Sequence, residues 1–136
     1  MKKKILIVVA NYYASISEGL LDSATKKIQS GFPQPFDLIS VPGVFEIPVT
    51  IAKNIRIYDG FIALGCVIKG ETPHFDFISK IAIDGIMKLS IENKKPIGNG
   101  IITCLNLKQA LARRKKGHEA ATAVLSVLNQ VKTQAE

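Results

Sequence analysis

Short runs of aliphatic residues alternate along this chain with stretches in which apolar residues recur every three or four positions. The first pattern fits strands and the second fits one face of a helix. Their alternation points to βαβ units, because parallel strands need a long crossover and a helix supplies it. Lys4–Ala10 (KILIVVA) is nearly continuous Ile, Leu and Val, as a strand buried on both faces requires. Phe36–Val41, Gly60–Ile68 and Ile97–Leu105 supply three more strands.

The segments between them carry helix signals. Ser15 with Glu18 matches a capping box, Leu20, Leu21, Ala24 and Ile28 form one apolar face, and Gly31 supplies a left-handed stop. A second helix starts near Phe45–Ile47, with Pro48 in its first turn, and runs to about Asn54. Thr72 and Pro73 read as cap and first residue of a third, faced by Ile78, Ile81, Ala82, Ile86 and Leu89 and ending near Glu92. Asn106 and Gln109 cap a short fourth helix. Gly117 separates it from a fifth, faced by Ala121, Val124, Leu125, Leu128 and Val131. The expectation is an α/β fold: a three-layer α/β/α sandwich with a four-stranded parallel sheet in flavodoxin-like order 2-1-3-4 and five helices. With 136 residues, it forms one domain over 1–136.

Several function classes fall away. The opening MKKKILIVVA has the start of a secretory leader, but its apolar run stops at Asn11 and Tyr12 without a small-residue cleavage site. No apolar stretch approaches the roughly 20 residues that span a bilayer. Cys66 and Cys104 lie far apart, in no metal-ligand spacing, which fits free thiols in a reducing cytoplasm and no metal site. The net charge of +7 suggests an anionic partner. Nucleic acid is disfavoured, because the basic residues are scattered apart from Lys2–Lys4 and Arg113–Lys116 and no aromatic residues interleave with those clusters. A small phosphorylated substrate accounts for the charge equally well.

Open parallel sheets bind ligands beyond the carboxyl ends of their strands. Three unusual loops are expected there: Asn11–Ser15, Pro42–Glu46 and Lys69–His74. Lys69-Gly70-Glu71-Thr72 combines a flexible turn, free amides at a helix start, a hydroxyl and a cation, which together favour phosphate. A capped helix with a plain connecting turn is the alternative, and the Glu71 carboxylate favours phosphate only if it points away. His74 falls on the second residue of that helix, where the positive helix end disfavours imidazolium and leaves a ring able to act as a base. Phe45 and Glu46 place a ring beside a carboxylate, suited to a polyol bearing a ring, although Phe45 fits a core as well. Tyr12 and Tyr13 can stack on a flat heterocycle, and Arg113 and Lys116 can clamp a phosphate or form a solvated helix end.

Four motifs in order, VPGVFEIP at Val41–Pro48, GCVIKGETPHFDF at Gly65–Phe77, PIGNGIIT at Pro96–Thr103 and QALAR at Gln109–Arg113, resemble the lumazine synthase (6,7-dimethyl-8-ribityllumazine synthase) family over nearly the whole chain. The resemblance implies a transferase of riboflavin biosynthesis that condenses a ribitylaminopyrimidinedione with 3,4-dihydroxy-2-butanone 4-phosphate, without metal or redox cofactor. By position it implies that Tyr12 stacks on the pyrimidine, that Val44, Phe45, Glu46 and Ile47 line the ring and ribityl pocket, and that Val67 and Ile68 contribute backbone contacts. Gly70, Glu71, Thr72 and Arg113 match the phosphate site, His74 the proton-transfer residue, and Lys116 and Asn99 the ring contacts, with Arg113, Lys116 and Asn99 coming from a neighbouring subunit. A homo-oligomer follows, a pentamer whose sites lie between subunits, with riboflavin synthase as a candidate partner. The chain opens at its first strand, which favours a free pentamer over a sixty-subunit shell. Tyr13 stands where many members carry Asn, and Asn11 can stand in for that contact. The same departure keeps open a catalytically weak homologue that binds lumazine or flavin.

Overall fold

The computed structural model describes residues 3–31 and 33–130. Four strands, β1 (Ile5–Ala10), β2 (Phe36–Val41), β3 (Gly60–Ile68) and β4 (Ile97–Cys104), form one all-parallel sheet in the order β2-β1-β3-β4. Five helices connect and cover them: α1 (Ala14–Gln29), α2 (Ile47–Lys53), α3 (His74–Asn93), α4 (Leu107–Ala112) and α5 (Lys116–Leu128). The three-layer α/β/α architecture and strand order agree with the sequence reading.

The reason for the order lies in burial. All six residues of β1 are buried, so β1 must lie inside the sheet and carry helices on both faces. Its odd-numbered residues Ile5, Ile7 and Val9 face a core shared with Ile16, Leu20, Ala24 and Ile28 of α1 and Ala120, Ala121 and Val124 of α5. Its even-numbered residues Leu6, Val8 and Ala10 face a second core with Ile47 and Ile51 of α2 and Ala82 and Ile86 of α3. The two-residue period of a strand thus divides one sequence between two layers.

Glycine permits the closest contacts. At Gly98, an added Cβ would sit 2.2 Å from the Ala120 carbonyl oxygen, and at Gly117 it would sit 2.0 Å from that of Leu20. These two residues let α5 lie directly against β4 and α1. At the amino ends of the strands, the buried Tyr58 hydroxyl donates to Asp37 Oδ2 at 2.6 Å, and Lys4 Nζ lies 3.2 Å from the same oxygen. The Tyr58 hydrogen bond, then Lys4, holds the Asp37 carboxyl below its usual range.

Local details depart from the sequence reading. Ser15 does not cap α1, which begins at Ala14 after Tyr13 with no side-chain cap. Ser17, one turn in, instead donates its hydroxyl to the Ala10 carbonyl and ties the helix to the end of β1. Gly31 does adopt the left-handed conformation, with φ of 63°. α3 begins one residue later than expected, with Pro73 in the cap position and His74 as its first residue. Ile81 is not core: it is 53% exposed, because Ile78 and Ala82 take the inward positions. Gly117 lies inside the first turn of α5, since α4 and α5 are separated by residues 113–115. Val131 lies outside the described residues.

Replacing Gly98 with Ala forces the Ala120 backbone away from the sheet. Overpacking of this kind costs about 1–3 kcal/mol. Urea denaturation of Gly98→Ala should show a loss of that size, whereas Gly70→Ala, whose added Cβ meets nothing within 4 Å, should show none attributable to packing.

Candidate active site

Because the strands are parallel, the loops after β1, β2 and β3 all leave the sheet at the same end. Backbone bonds hold them together there. Asn11 N–H donates to the Val41 carbonyl at 3.0 Å, joining the ends of β1 and β2, and Lys69 N–H donates to Cys104 at 2.8 Å, joining β3 to β4. At Gly65 an added Cβ would lie 2.7 Å from Val44 Cγ2 and 3.2 Å from Ala10 Cβ. The absence of a side chain on β3 is therefore what lets the β2 loop fold down over the sheet.

That loop, Pro42 and Gly43 followed by a single 3-10 turn over Val44–Glu46, divides its residues by direction. Val44 and Ile47 are buried in the core, so they can offer only backbone to a ligand, whereas Phe45 is 55% exposed. Glu46 is half-buried, and its Oε1 would lie 3.2 Å from a Cβ at Gly43, so the carboxylate lies back over the turn. An apolar ring next to a half-buried carboxylate, both at the carboxyl end of the sheet, offers one surface for a heterocycle and an acceptor for hydroxyl groups.

The neighbouring loop after β3 is open. Val67 and Ile68 are half-buried at the strand end, on opposite faces of the sheet, and Gly70, Glu71, Thr72 and His74 are exposed. Thr72 Oγ1 accepts the His74 N–H at a long 3.4 Å. A 20-residue helix begins here, and the start of a helix is a setting for an anion. His74 occupies the first position of α3 rather than the second, with its side chain in solvent beside that turn.

Tyr12 is 76% exposed, and its ring meets that of Tyr13 edge to face, centroids 4.9 Å apart and planes at 80°. Sequence reading paired these residues by adjacency but did not foresee the contact. The doubled tyrosine was its one available signal.

The remaining candidates lie elsewhere on the chain. Asn99 sits on β4, an edge strand, opposite Ala63, and its Oδ1 accepts the Ile101 N–H at 3.0 Å, closing one open edge amide. Arg113, after α4, donates to the Thr103 carbonyl at 3.1 Å, and Lys116 pairs with Glu119 at 2.7 Å on the surface. Exposed pairs of this kind are weak, so Lys116 stays available. Arg113 and Lys116 line a groove of about 1190 Å³ with Gly19, Ser23 and Lys26 of α1, and none of Tyr12, Phe45 or His74 reaches it. Among the described residues no hydrogen bond or ion pair joins these three residues to the group around His74. By element the candidates fall into two sets, one on the β1–β3 loops and one on β4 and the α4–α5 connection; Arg113, 3.9 Å from Cys104 Sγ, lies at the same end of the sheet as the first set.

Beneath the loops lie two free thiols, Cys66 and Cys104, both buried. Burial, and then the adjacent Cys104, push the Cys66 thiol up to about 12. Among the described residues no group of His, Cys, Asp or Glu is placed to hold a metal ion, and no helix is long and apolar enough to cross a membrane.

The neutral Cys66 thiol has a consequence at high pH. Below its ordinary value of 9.0 the thiol is neutral in folded and unfolded chain alike; above it the unfolded thiol ionises while the buried one does not, which draws the chain toward the unfolded state. Stability should hold to pH about 9 and fall between 9 and about 12. In Cys66→Ala that component of the alkaline loss should be absent, as read by urea midpoints across the range.

Residues 2–132 match the family model described as 6,7-dimethyl-8-ribityllumazine synthase. A protein of that name from Bartonella henselae is 44% identical over 136 aligned positions, covering 93% of this chain and 87% of the relative. One from Cutibacterium acnes is 39% identical, with 96% and 82% covered. Another, from Afipia carboxidovorans, is 39% identical, with 92% and 83% covered. With the parallel sheet, the loops gathered at its carboxyl end and a match along nearly the whole sequence, the chain belongs to the 6,7-dimethyl-8-ribityllumazine synthase family.

Proposed function

We propose that this protein is a 6,7-dimethyl-8-ribityllumazine synthase. It condenses 5-amino-6-(D-ribitylamino)pyrimidine-2,4-dione with 3,4-dihydroxy-2-butanone 4-phosphate, releasing phosphate and water, in riboflavin biosynthesis. The observation that carries the reading is the Lys69–His74 segment: an open turn at the start of a long helix, with a histidine on the first helical residue.

The phosphate of the ketone rests on the Gly70, Glu71 and Thr72 amides and the Thr72 hydroxyl, with Arg113 as its guanidinium partner. Only the Glu71 backbone serves; its carboxylate is exposed and can turn to solvent. The pyrimidine stacks on Tyr12 and Phe45, its edge meets backbone groups of Val67 and Ile68, and the ribityl chain runs along Val44, Glu46 and Ile47. Asn99 and Lys116 contact the ring from a second subunit. A phosphate bound at a helix start is also a stabilised leaving group, since charge grows on its oxygens as the bond breaks.

The 5-amino nitrogen attacks the ketone carbon and expels water to give a Schiff base. Loss of a proton at the adjacent carbon then drives phosphate out by β-elimination, and the ribitylamino nitrogen closes the second ring with loss of a further water. His74, beside the phosphate turn and in solvent contact, moves the protons. Much of the acceleration comes from holding the two substrates in register.

Membership of the family, with Asn99, Arg113 and Lys116 making no hydrogen bond or ion pair to the His74 group among the described residues, supports a homo-oligomer, a pentamer in which each site combines loops of one subunit with the β4 edge and α4–α5 connection of the next. The exposed apolar residues Phe77, Ile81 and Ile91 along α3 fit a helix face that is covered in such an assembly. The free thiols suit a reducing cytoplasm.

Mixing the two substrates and following the lumazine's absorbance and green fluorescence tests the assignment; no product from well-folded protein would contradict it. His74→Ala should lower kcat about ten- to hundredfold, with residual turnover from substrate positioning. Arg113→Ala should raise KM for the phosphorylated ketone about tenfold or more while leaving KM for the pyrimidine near its original value. Unchanged kinetics in either variant would refute that residue's role.

A further inference from the structure

Tyr12 and Tyr13 lie together at the end of β1, but their surroundings differ. Tyr12 is 76% exposed, and its ring touches no aromatic group among the described residues except Tyr13. Tyr13 is half-buried and packs against the core between α1 and the sheet. Its carbonyl accepts the N–H groups of Ile16 at 3.1 Å and Ser17 at 2.9 Å, so Tyr13 cannot shift without disturbing the start of α1. The backbone before it is fixed as well, by the Asn11 bond to Val41 and the Ser17 hydroxyl on Ala10. What remains free is the Tyr12 side chain, and the Tyr13 ring meets it with centroids 4.9 Å apart and planes at 80°, an arrangement aromatic pairs prefer.

We propose that Tyr13 is a positioning residue for Tyr12: its anchored ring packs edge to face with the Tyr12 ring and fixes that ring's orientation, so that the largely exposed Tyr12 ring is preset to stack on the flat heterocycle. This inference rests on the reading of Tyr12 as the residue that stacks on the pyrimidine. An unconstrained exposed tyrosine must give up its rotamer freedom when the ligand arrives, whereas one already fixed by a neighbour has lost it on folding. The gain therefore falls on the binding of the heterocycle and not on the phosphorylated ketone. Burial, and then Tyr12, raise the Tyr13 phenol above its ordinary range, so the Tyr13 ring stays neutral while it packs. The work is done by the ring and not by the hydroxyl.

The test is a double-mutant cycle on the full-length protein, with steady-state kinetics for both substrates and quenching of lumazine fluorescence as a direct binding readout. Tyr13→Leu should raise KM for the pyrimidine and Kd for lumazine about three- to tenfold, leaving kcat and KM for the phosphorylated ketone unchanged. Tyr13→Phe should restore the values that Tyr13→Leu loses. In a Tyr12→Ala background, Tyr13→Leu should add no further loss, because the residue it positions is gone. If Tyr13→Leu does not fold, Tyr13→Met fills similar space without a ring and gives the same reading. Additive losses in the double variant, equal losses for both substrates, or failure of Tyr13→Phe to restore binding would overturn the proposal while the enzyme assignment stands. A wild-type protein with neither turnover nor lumazine binding would sink the enzyme assignment, and the proposal with it.

Discussion

Everything at the carboxyl end of the sheet depends on the pairing of β1 with β3. Ile5–Val9 runs in register with Gly60–Leu64, and every residue of both segments is buried. A parallel pair of this kind excludes water from both faces, and each face then needs a helical layer. The layers in turn dictate connections that return the chain to the same end of the sheet after every helix. The loops after β1, β2 and β3 converge because the strands are parallel, and they lie close to the sheet because Gly65 on β3 leaves room for Val44. The site is thus an outcome of core packing before it is an arrangement of polar groups.

Fold and site were legible in the sequence to different depths. The first strand, β1, announced itself through uninterrupted Ile, Leu and Val, since burial on both faces leaves no polar position to confuse the pattern. Helix starts were less legible. Ser15 and Glu18 fit a capping box, yet tertiary contact decided otherwise: the Ser17 hydroxyl on the Ala10 carbonyl fixes where α1 meets β1. Ile81 shows the same limit, because a helical period marks apolar positions without saying which of two apolar faces turns inward. Gly117 looked like punctuation and is a packing glycine, a role set by Leu20 almost a hundred residues earlier.

The candidate site was legible as a list of residues and as loops at one end of a sheet. Its geometry was not. That Val44 and Ile47 turn into the core while Phe45 turns out depends on a single 3-10 turn, and no composition rule encodes the direction of a side chain in such a turn. The edge-to-face contact of Tyr12 and Tyr13 was equally hidden, because two adjacent tyrosines on an irregular segment can point apart or together.

The central claim of the proposed function is that a complete site needs His74 from one subunit and Arg113 from another. Co-refolding equal amounts of His74→Ala and Arg113→Ala tests it directly, with turnover measured at limiting phosphorylated ketone. Random assembly pairs an intact His74 loop with an intact Arg113 at about one interface in four. The account predicts recovery of about a quarter of wild-type turnover. A mixture no more active than the average of the two variants would place both residues in the site of one chain and contradict it.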